Sequence, residues 1–137
     1  MALSMSTWRL LGLSVAAGYV GLGTFAFATP VLAGRALGVY PLDSFSPDKA
    51  VGYRLHDRQE RAAMRFLGAR DLSIGLGLFA FDYQDNPHAM GTLILSGMVL
   101  CVTDVYYVFR LRGWEWGTML GIGAASWCAI GIGLIGL

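Results

Sequence analysis

Four long apolar segments constrain this 137-residue chain more than any other feature of its sequence. Each is roughly 18–22 residues long, the length that a helix needs to cross the hydrocarbon core of a bilayer. We place them at residues 10–29, 66–83, 89–109 and 117–137. A single segment in lipid must satisfy its own backbone hydrogen bonds, which a helix does. The sequence therefore predicts an all-α protein, an antiparallel four-helix transmembrane bundle that forms one membrane domain over residues 1–137.

The composition agrees with a membrane protein and excludes several other classes. Charged residues make up 14% of the chain, against about 25% in soluble domains. The net charge of +1 argues against a nucleic-acid partner. The two cysteines form no CxxC motif, and the two histidines, His56 and His88, are predicted on opposite sides of the membrane. We therefore expect no metal site and no cofactor.

The first apolar segment has an alternative interpretation as a signal peptide. Arg9 precedes the apolar run, and Ala26-Phe27-Ala28 resembles a cleavage site. The run is longer than the usual apolar region of a signal peptide, about 7–15 residues. We therefore expect a transmembrane helix here.

The positions of Lys and Arg predict the orientation in the membrane, because cytoplasmic loops carry an excess of both residues. Only Arg9 falls on one side of the predicted membrane, and eight basic residues fall on the other: Arg35, Lys49, Arg54, Arg58, Arg61, Arg65, Arg110 and Arg112. We expect both basic links to be cytoplasmic. Both termini should then be extracytoplasmic, or lumenal in the endoplasmic reticulum if the cell is eukaryotic.

The long link at residues 30–65 has two predicted parts. Residues 30–47 contain three prolines and should be irregular, with at most a short helical turn. Residues 47–65 should form a cytoplasmic amphipathic helix with Ser46 as its N-cap. Its arginines recur on one face and should meet water and the anionic headgroups of membrane lipids. Alternatively, Arg65, the arginine nearest the membrane, also receives an anionic group of a substrate.

Three charged residues fall inside the predicted spans, where charges are costly and often functional. They are Arg70, Asp71 and Asp104. Asp71 lies six residues after Arg65, and Asp104 lies six residues before Arg110. At 1.5 Å per residue, both aspartates lie about 9 Å from the same membrane edge. The sequence therefore predicts one layer of three charges.

Small residues share a helix face with each aspartate, so we expect both carboxylates to point into the bundle. Arg70 can neutralise one of them. Burial away from water then favours a proton on the other, which would suit a general acid. Asp71, Asp104 and Arg70 are therefore the candidate catalytic residues. The alternative is a structural ion pair that locks spans two and three together.

Aromatic residues surround this layer and supply further candidates. Tyr107 lies three residues after Asp104 on the same face, and Trp114 lies near the start of the fourth span. With Arg65, they are the candidate substrate-binding residues. Tyr and Trp at this depth also serve as interface anchors, which is the simpler explanation.

A seam of small residues runs along the fourth span, at Gly117, Gly121, Ala124 and Cys128. Such a seam lets helices approach closely. It should pack against another span of the same chain, or alternatively form a contact in a homo-oligomer.

The second predicted span contains Gly68-Ala69-Arg70-Asp71-Leu72 followed by Gly75-Leu76. This motif resembles the second-span motif of a family of small four-helix membrane proteins of unknown function, found in fungi and bacteria and distantly similar to DoxX-type proteins. Pro30, Arg35-Ala36-Leu37-Gly38 and Asp104 also match its pattern. Many relatives carry a histidine near the start of the fourth span, where this chain has Trp114-Glu115-Trp116.

The resemblance also implies a function, because some fungal relatives lie beside terpenoid or polyketide pathways. It implies a cofactor-independent cyclase, isomerase or pericyclase that acts on a lipophilic intermediate of natural-product biosynthesis. One aspartate would donate a proton or hydrogen bond, and Arg70 would orient a carbonyl or carboxylate. The alternatives are a non-catalytic membrane assembly or accessory subunit and, third, a small dimeric transporter, whose site would be expected nearer the midplane.

Overall fold

The computed structural model describes residues 4–38 and 50–136, without the side chains of residues 50–57. In these ranges the chain is all helical and has no strand, which confirms the all-α class. In order, the helices are α1 (Met5–Ala28), α2 (Pro30–Leu37), α3 (Ala50–Tyr83), α4 (Pro87–Arg112) and α5 (Trp114–Ile135).

Local signals set the ends of most of these helices. The Ser4 side chain accepts a hydrogen bond from the Thr7 amide at the start of α1. The Asn86 side chain caps α4 in the same way, and Pro87 occupies its first turn. A single glycine, Gly113 with φ 91°, separates α4 from α5.

Helix α2 is longer than the short turn expected for this part of the link. Pro30 stands in its first turn, where the missing amide hydrogen costs nothing. Gly38 ends it in the left-handed conformation, with φ 77°. The predicted helix start at Pro47, with Ser46 as its N-cap, lies outside the described residues, and α3 as described begins at Ala50. The side chains of Arg54 and His56 also lie outside them.

Three of the described helices, α1, α4 and α5, are long and apolar enough to cross a membrane. The chain is therefore consistent with a membrane protein. Helix α3 is not among the three. Its apolar part, residues 66–83, contains Arg70, Asp71 and Asp82, which lower its hydropathy.

Helices α1 and α3 pack with their backbones in close contact. A β-carbon added to Gly68 would lie 2.6 Å from both the Gly23 carbonyl oxygen and the Phe27 amide nitrogen. A β-carbon on Gly75 would lie 3.0 Å from the Ala16 carbonyl oxygen. Residue numbers rise along α1 as they fall along α3, so the two helices run antiparallel. Glycine is required because any side chain would force the backbones apart.

Helices α4 and α5 form a second close pair. A β-carbon on Gly91 would lie 2.7 Å from the Gly131 carbonyl oxygen, and one on Gly117 would lie 2.6 Å from the Phe109 ring. Gly121 of the predicted seam also faces α4, at Val105. These seam glycines therefore pack within the chain. A homo-oligomer contact through the seam stays an untested prediction.

The two pairs meet around a buried core to which all four long helices contribute. Its fully enclosed members are Val15, Ala16, Leu78, Met90, Ile94 and Leu134, together with Tyr19. Burial of such side chains is what holds the pairs against each other where backbone contact is sparse.

Arginine side chains join the helices at both ends. At one end, Arg9 of α1 pairs with Asp82 at 3.0 Å and with Asp85 at 2.6 Å, which ties it to the α3–α4 turn. At the other end, Arg112 donates a hydrogen bond to the Ala36 carbonyl of α2 and stacks over the Trp116 ring. The hydrogen bond from Arg112 to Ala36 brings the two basic links to the same end of the helices.

We predict that Gly68→Ala destabilises the protein and Gly21→Ala does not. The added methyl group at Gly68 would overlap backbone atoms of α1, at a cost of about 1–3 kcal/mol. A β-carbon on Gly21 meets nothing within 4 Å, so this variant is the matched control for helix propensity. The free energy of unfolding in SDS titrations of detergent-solubilised protein measures both. Equal stability of the two variants would contradict the close packing of α1 on α3.

Candidate functional site

Arg70 of α3 joins two carboxylates in the region between the helix pairs. Its Nε donates to Asp71 Oδ1 at 2.9 Å, and its Nη2 donates to Asp104 Oδ2 at 2.9 Å. Adjacent residues on a helix point in different directions, but the long arginine side chain reaches round to its neighbour. Arg70, Asp71 and Asp104 therefore form one ion-pair cluster, which we call the charge triad.

The two aspartates of the charge triad differ in accessibility. The Asp71 side chain is 12% exposed, and the Asp104 side chain is 45% exposed. Asp71 lies between Gly68 and Gly75 on the face of α3 that packs against α1, which explains its burial. Asp104 thus presents its carboxylate at the protein surface, where another molecule could reach it.

A second polar pair lies beside the charge triad. The Tyr19 hydroxyl and the Cys101 thiol are 3.4 Å apart and can share a hydrogen bond. Cys101 lies three residues before Asp104, so the two side chains share one face of α4. The polar layer therefore draws on α1, α3 and α4.

Packing fixes the position of Tyr19 in this layer. The residue is 4% exposed, and its ring packs against Trp127 of α5 with 4.7 Å between centroids. Gly97 of α4 leaves room for the hydroxyl, because a β-carbon there would lie 3.0 Å from the Tyr19 oxygen. The ring is thus held between three helices.

Sequence reasoning did not find Tyr19 or Trp127. For Cys101, helical spacing alone predicts the face of α4 that it shares with Asp104. Tyr19 carried no comparable signal, since the contact depends on how α1 packs against α4.

In the described part of the chain, no hydrogen bond, ion pair or ring contact joins the predicted substrate-binding residues to the charge triad. Arg65 is exposed and lines a groove with Arg58 and Arg61. Tyr107 is 59% exposed and packs edge-on against Tyr106. Trp114 is 71% exposed and packs against Phe109. The structure thus joins the three candidate catalytic residues to one another, and it joins none of the three substrate-binding candidates to them.

The described part of the chain contains no cluster of three or more His, Cys, Asp or Glu side chains that could hold a metal ion. Two carboxylates do meet in the charge triad, but the cation between them is Arg70 itself.

These features define a protein that is all-helical in its described residues, with three helices suited to a membrane and an ion-pair cluster between α3 and α4. The model of a family described as a domain of unknown function (DUF4267) matches residues 16–134. The chain belongs to this uncharacterised family. Neither the curated proteins nor the solved structures gave a match to the chain. The motif, the occurrence in fungi and bacteria and the likeness to DoxX-type proteins stay predictions.

We predict that Arg70→Met lowers the free energy of unfolding more than Asp71→Asn or Asp104→Asn does. Loss of Arg70 leaves two carboxylates without their counter-ion. The cost should be below the roughly 3–5 kcal/mol of a fully buried pair, because the Arg70 side chain is 29% exposed. Between the aspartates, Asp71→Asn should cost more, since Asp71 is the more buried.

A double-mutant cycle measures the coupling directly. The variant Arg70→Met/Asp71→Asn should be more stable than Arg70→Met alone, because it contains one unpaired carboxylate fewer. Simple addition of the two single effects would show that the contact contributes nothing.

Proposed function

We propose that residues 66–83 of α3 cross the membrane with α1, α4 and α5, so that the chain forms an antiparallel four-helix transmembrane bundle. The support comes from the neighbour of α3. Arg9 of α1 contacts Asp82 of α3, and Gly23 of α1 contacts Gly68 of α3. These two contacts are fourteen residues apart along each helix, a rise of about 21 Å. A helix that lies against a membrane span over this length shares its depth in the bilayer.

We further propose that the basic links and the first half of α3 are cytoplasmic and that both termini are extracytoplasmic or lumenal. The contact of Arg112 with Ala36 supports a shared side for the two links. The excess of Lys and Arg in these links favours the cytoplasmic side.

Two glutamines that flank the apolar part of α3, residues 66–83, test both proposals. In a background with Cys101→Ser and Cys128→Ser, we expect Gln84→Cys to react with a membrane-impermeant maleimide added to intact cells. Gln59→Cys should react only after the membrane is opened. Both positions are exposed, so accessibility in the folded protein is matched. Labelling of both from one side would contradict a membrane-spanning α3, and the reverse pattern would contradict the orientation.

We propose that the protein is a membrane-embedded isomerase or cyclase of a lipophilic intermediate. The observation that carries this proposal is the unequal exposure of the two triad carboxylates. Asp71 is enclosed, whereas Asp104 is bound to Arg70 through Oδ2 and is still 45% exposed. A substrate dissolved in the bilayer could therefore approach Asp104 from the side without entering water.

The charges of the triad suit acid catalysis. With both carboxylates ionised the triad has a net charge of −1, and one proton bound to either carboxylate would make it neutral. Asp104 would give its proton to a carbonyl oxygen or an alkene carbon of the substrate. Loss of a different substrate proton to Asp104 would restore the acid, so the product is an isomer and no oxidant or reductant is needed. Such positioned proton transfer contributes typically 10²–10⁴-fold in rate.

A pericyclic ring closure would require less of the same site. A hydrogen bond from the protonated carboxyl group or from Arg70 would polarise a carbonyl group. The apolar surroundings would hold the reacting ends together.

The second candidate is a non-catalytic assembly or accessory subunit. Its supporting observation is that α3 packs chiefly on α1 and α4 chiefly on α5. The Arg70–Asp104 contact then serves to join the two helix pairs. A homo-oligomer or a small dimeric transporter has less support, because the seam glycines of α5 face α4 and the charge triad lies toward one end of the helices.

Asp104→Asn separates the enzyme from the subunit. If Asp104 is the proton donor, the variant should fold and reach the membrane but lose turnover about 10²-fold or more. Cells that lack the protein should accumulate a lipophilic compound whose elemental composition equals that of the missing product. High-resolution mass spectrometry of membrane extracts detects this isomer pair, and complementation with wild type should reverse it.

Two further variants show which role Asp104 has in the reaction. Asp71→Asn should retain more activity than Asp104→Asn, because Asp71 is enclosed. Asp104→Ala distinguishes a general acid from a hydrogen-bond donor, since Asn keeps a donor and Ala does not. Full complementation by Asp104→Ala would contradict the enzyme proposal and favour the subunit.

A further inference from the structure

A groove with one charged end and one apolar end lies between the last turn of α1 and the first half of α3. Its volume is about 500 Å³. Phe27 of α1 forms one wall, and α3 supplies the rest from Arg58 to Ala69. The residues that line it include three arginines and no acidic residue.

The charged end suits a phosphate group. Arg58, Arg61 and Arg65 follow one another at spacings of three and four residues, which places them along one face of α3. The guanidinium group binds phosphate oxygens through paired hydrogen bonds. Arg61 already has an interaction partner, so the argument rests on Arg58 and Arg65, both of which are exposed.

The apolar end suits hydrocarbon. Phe66 is 77% exposed and Phe27 is 51% exposed, and both line the groove. Ala69, with its short apolar side chain, also lines this end. A free phosphate ion would use the arginines and leave these rings in water, whereas a phospholipid would use both ends.

The polarity of the groove follows the direction of α3. From Arg58 to Ala69 the helix rises about 16 Å, and its groove-lining residues change from arginines to phenylalanine and alanine. Phe27 stands one residue before the end of α1, a candidate membrane span. The change from charged to apolar therefore falls where that span ends.

We propose that this groove binds an anionic phospholipid of the cytoplasmic leaflet, with its headgroup phosphate at Arg58 and Arg65 and its first acyl carbons against Phe27 and Phe66. The proposal rests on the proposed membrane position of α3 and not on the enzyme activity. The labelling of Gln59→Cys and Gln84→Cys tests that position separately, so the two can fail independently.

Native mass spectrometry of the full chain in detergent, titrated with phosphatidylglycerol or phosphatidylcholine, tests the proposal. Wild type should bind phosphatidylglycerol at least tenfold more tightly than phosphatidylcholine. Arg58→Gln and Arg65→Gln should each weaken phosphatidylglycerol binding about tenfold, the effect of losing a charge-assisted hydrogen bond. Arg110→Gln is the matched control, because Arg110 is exposed at the same end of the helices and lies outside the groove.

Phe66→Ala tests the apolar end, with Phe79→Ala as its control on the same helix. Phe66→Ala should weaken phosphatidylglycerol binding without changing the melting temperature in detergent, whereas Phe79→Ala should leave phosphatidylglycerol binding unchanged. Glycerol phosphate and inorganic phosphate, used as competitors, should displace the lipid poorly because they lack acyl chains.

Three outcomes would overturn the proposal. Equal binding of the two lipids would show that the groove does not select charge. An equal effect of Arg110→Gln and Arg65→Gln would show general electrostatic attraction in place of a site. Efficient displacement by inorganic phosphate would assign the arginines to a soluble phosphate ligand.

Discussion

The guanidinium group of Arg70 is the interaction on which the arrangement of the helices depends most. Helix α3 packs closely on α1, and α4 packs closely on α5. Arg70 reaches from the first pair to Asp104 of the second while it also binds Asp71. Without this cation, two carboxylates would face each other in apolar surroundings, where an unpaired charge is costly. The same group thus stabilises the interface between the pairs and defines the chemistry available there.

The boundary between the helix pairs combines a rigid side and an accessible side. On the rigid side, Tyr19 is enclosed by Trp127 and Cys101, and Asp71 is enclosed against α1. On the accessible side, Asp104 is half-exposed. A site of this kind can hold the orientation of a reacting group while a lipophilic molecule approaches from the bilayer. The same geometry also explains why a purely structural role is the strongest competitor: every charge of the triad has a partner.

The charge triad and the groove lined by Arg58, Arg61 and Arg65 are two separate features of α3. Arg70 lies on the part of α3 that packs against α1 and α4, and its charge is matched by two carboxylates. Arg58 and Arg65 lie on the exposed first half, in a groove without acidic residues. Cations that are paired inside the protein favour stability or catalysis, and cations that face outward favour binding of an anionic partner.

The sequence by itself determined the helical class, the approximate helix positions and the residues of the charge triad. Apolar length and the cost of charge in a membrane are properties of single segments, and depth follows from counting residues. The tertiary structure decided the contacts between helices, which cannot be obtained by counting residues along the chain. Distances between helices depend on which glycines face each other, as Gly68 faces Gly23. That packing brings Tyr19 beside Cys101 and encloses Asp71 but not Asp104. It also places Arg65 in a groove, in contact with neither aspartate. The direction of a side chain across a helix interface is a property of the helix pair and not of either helix alone.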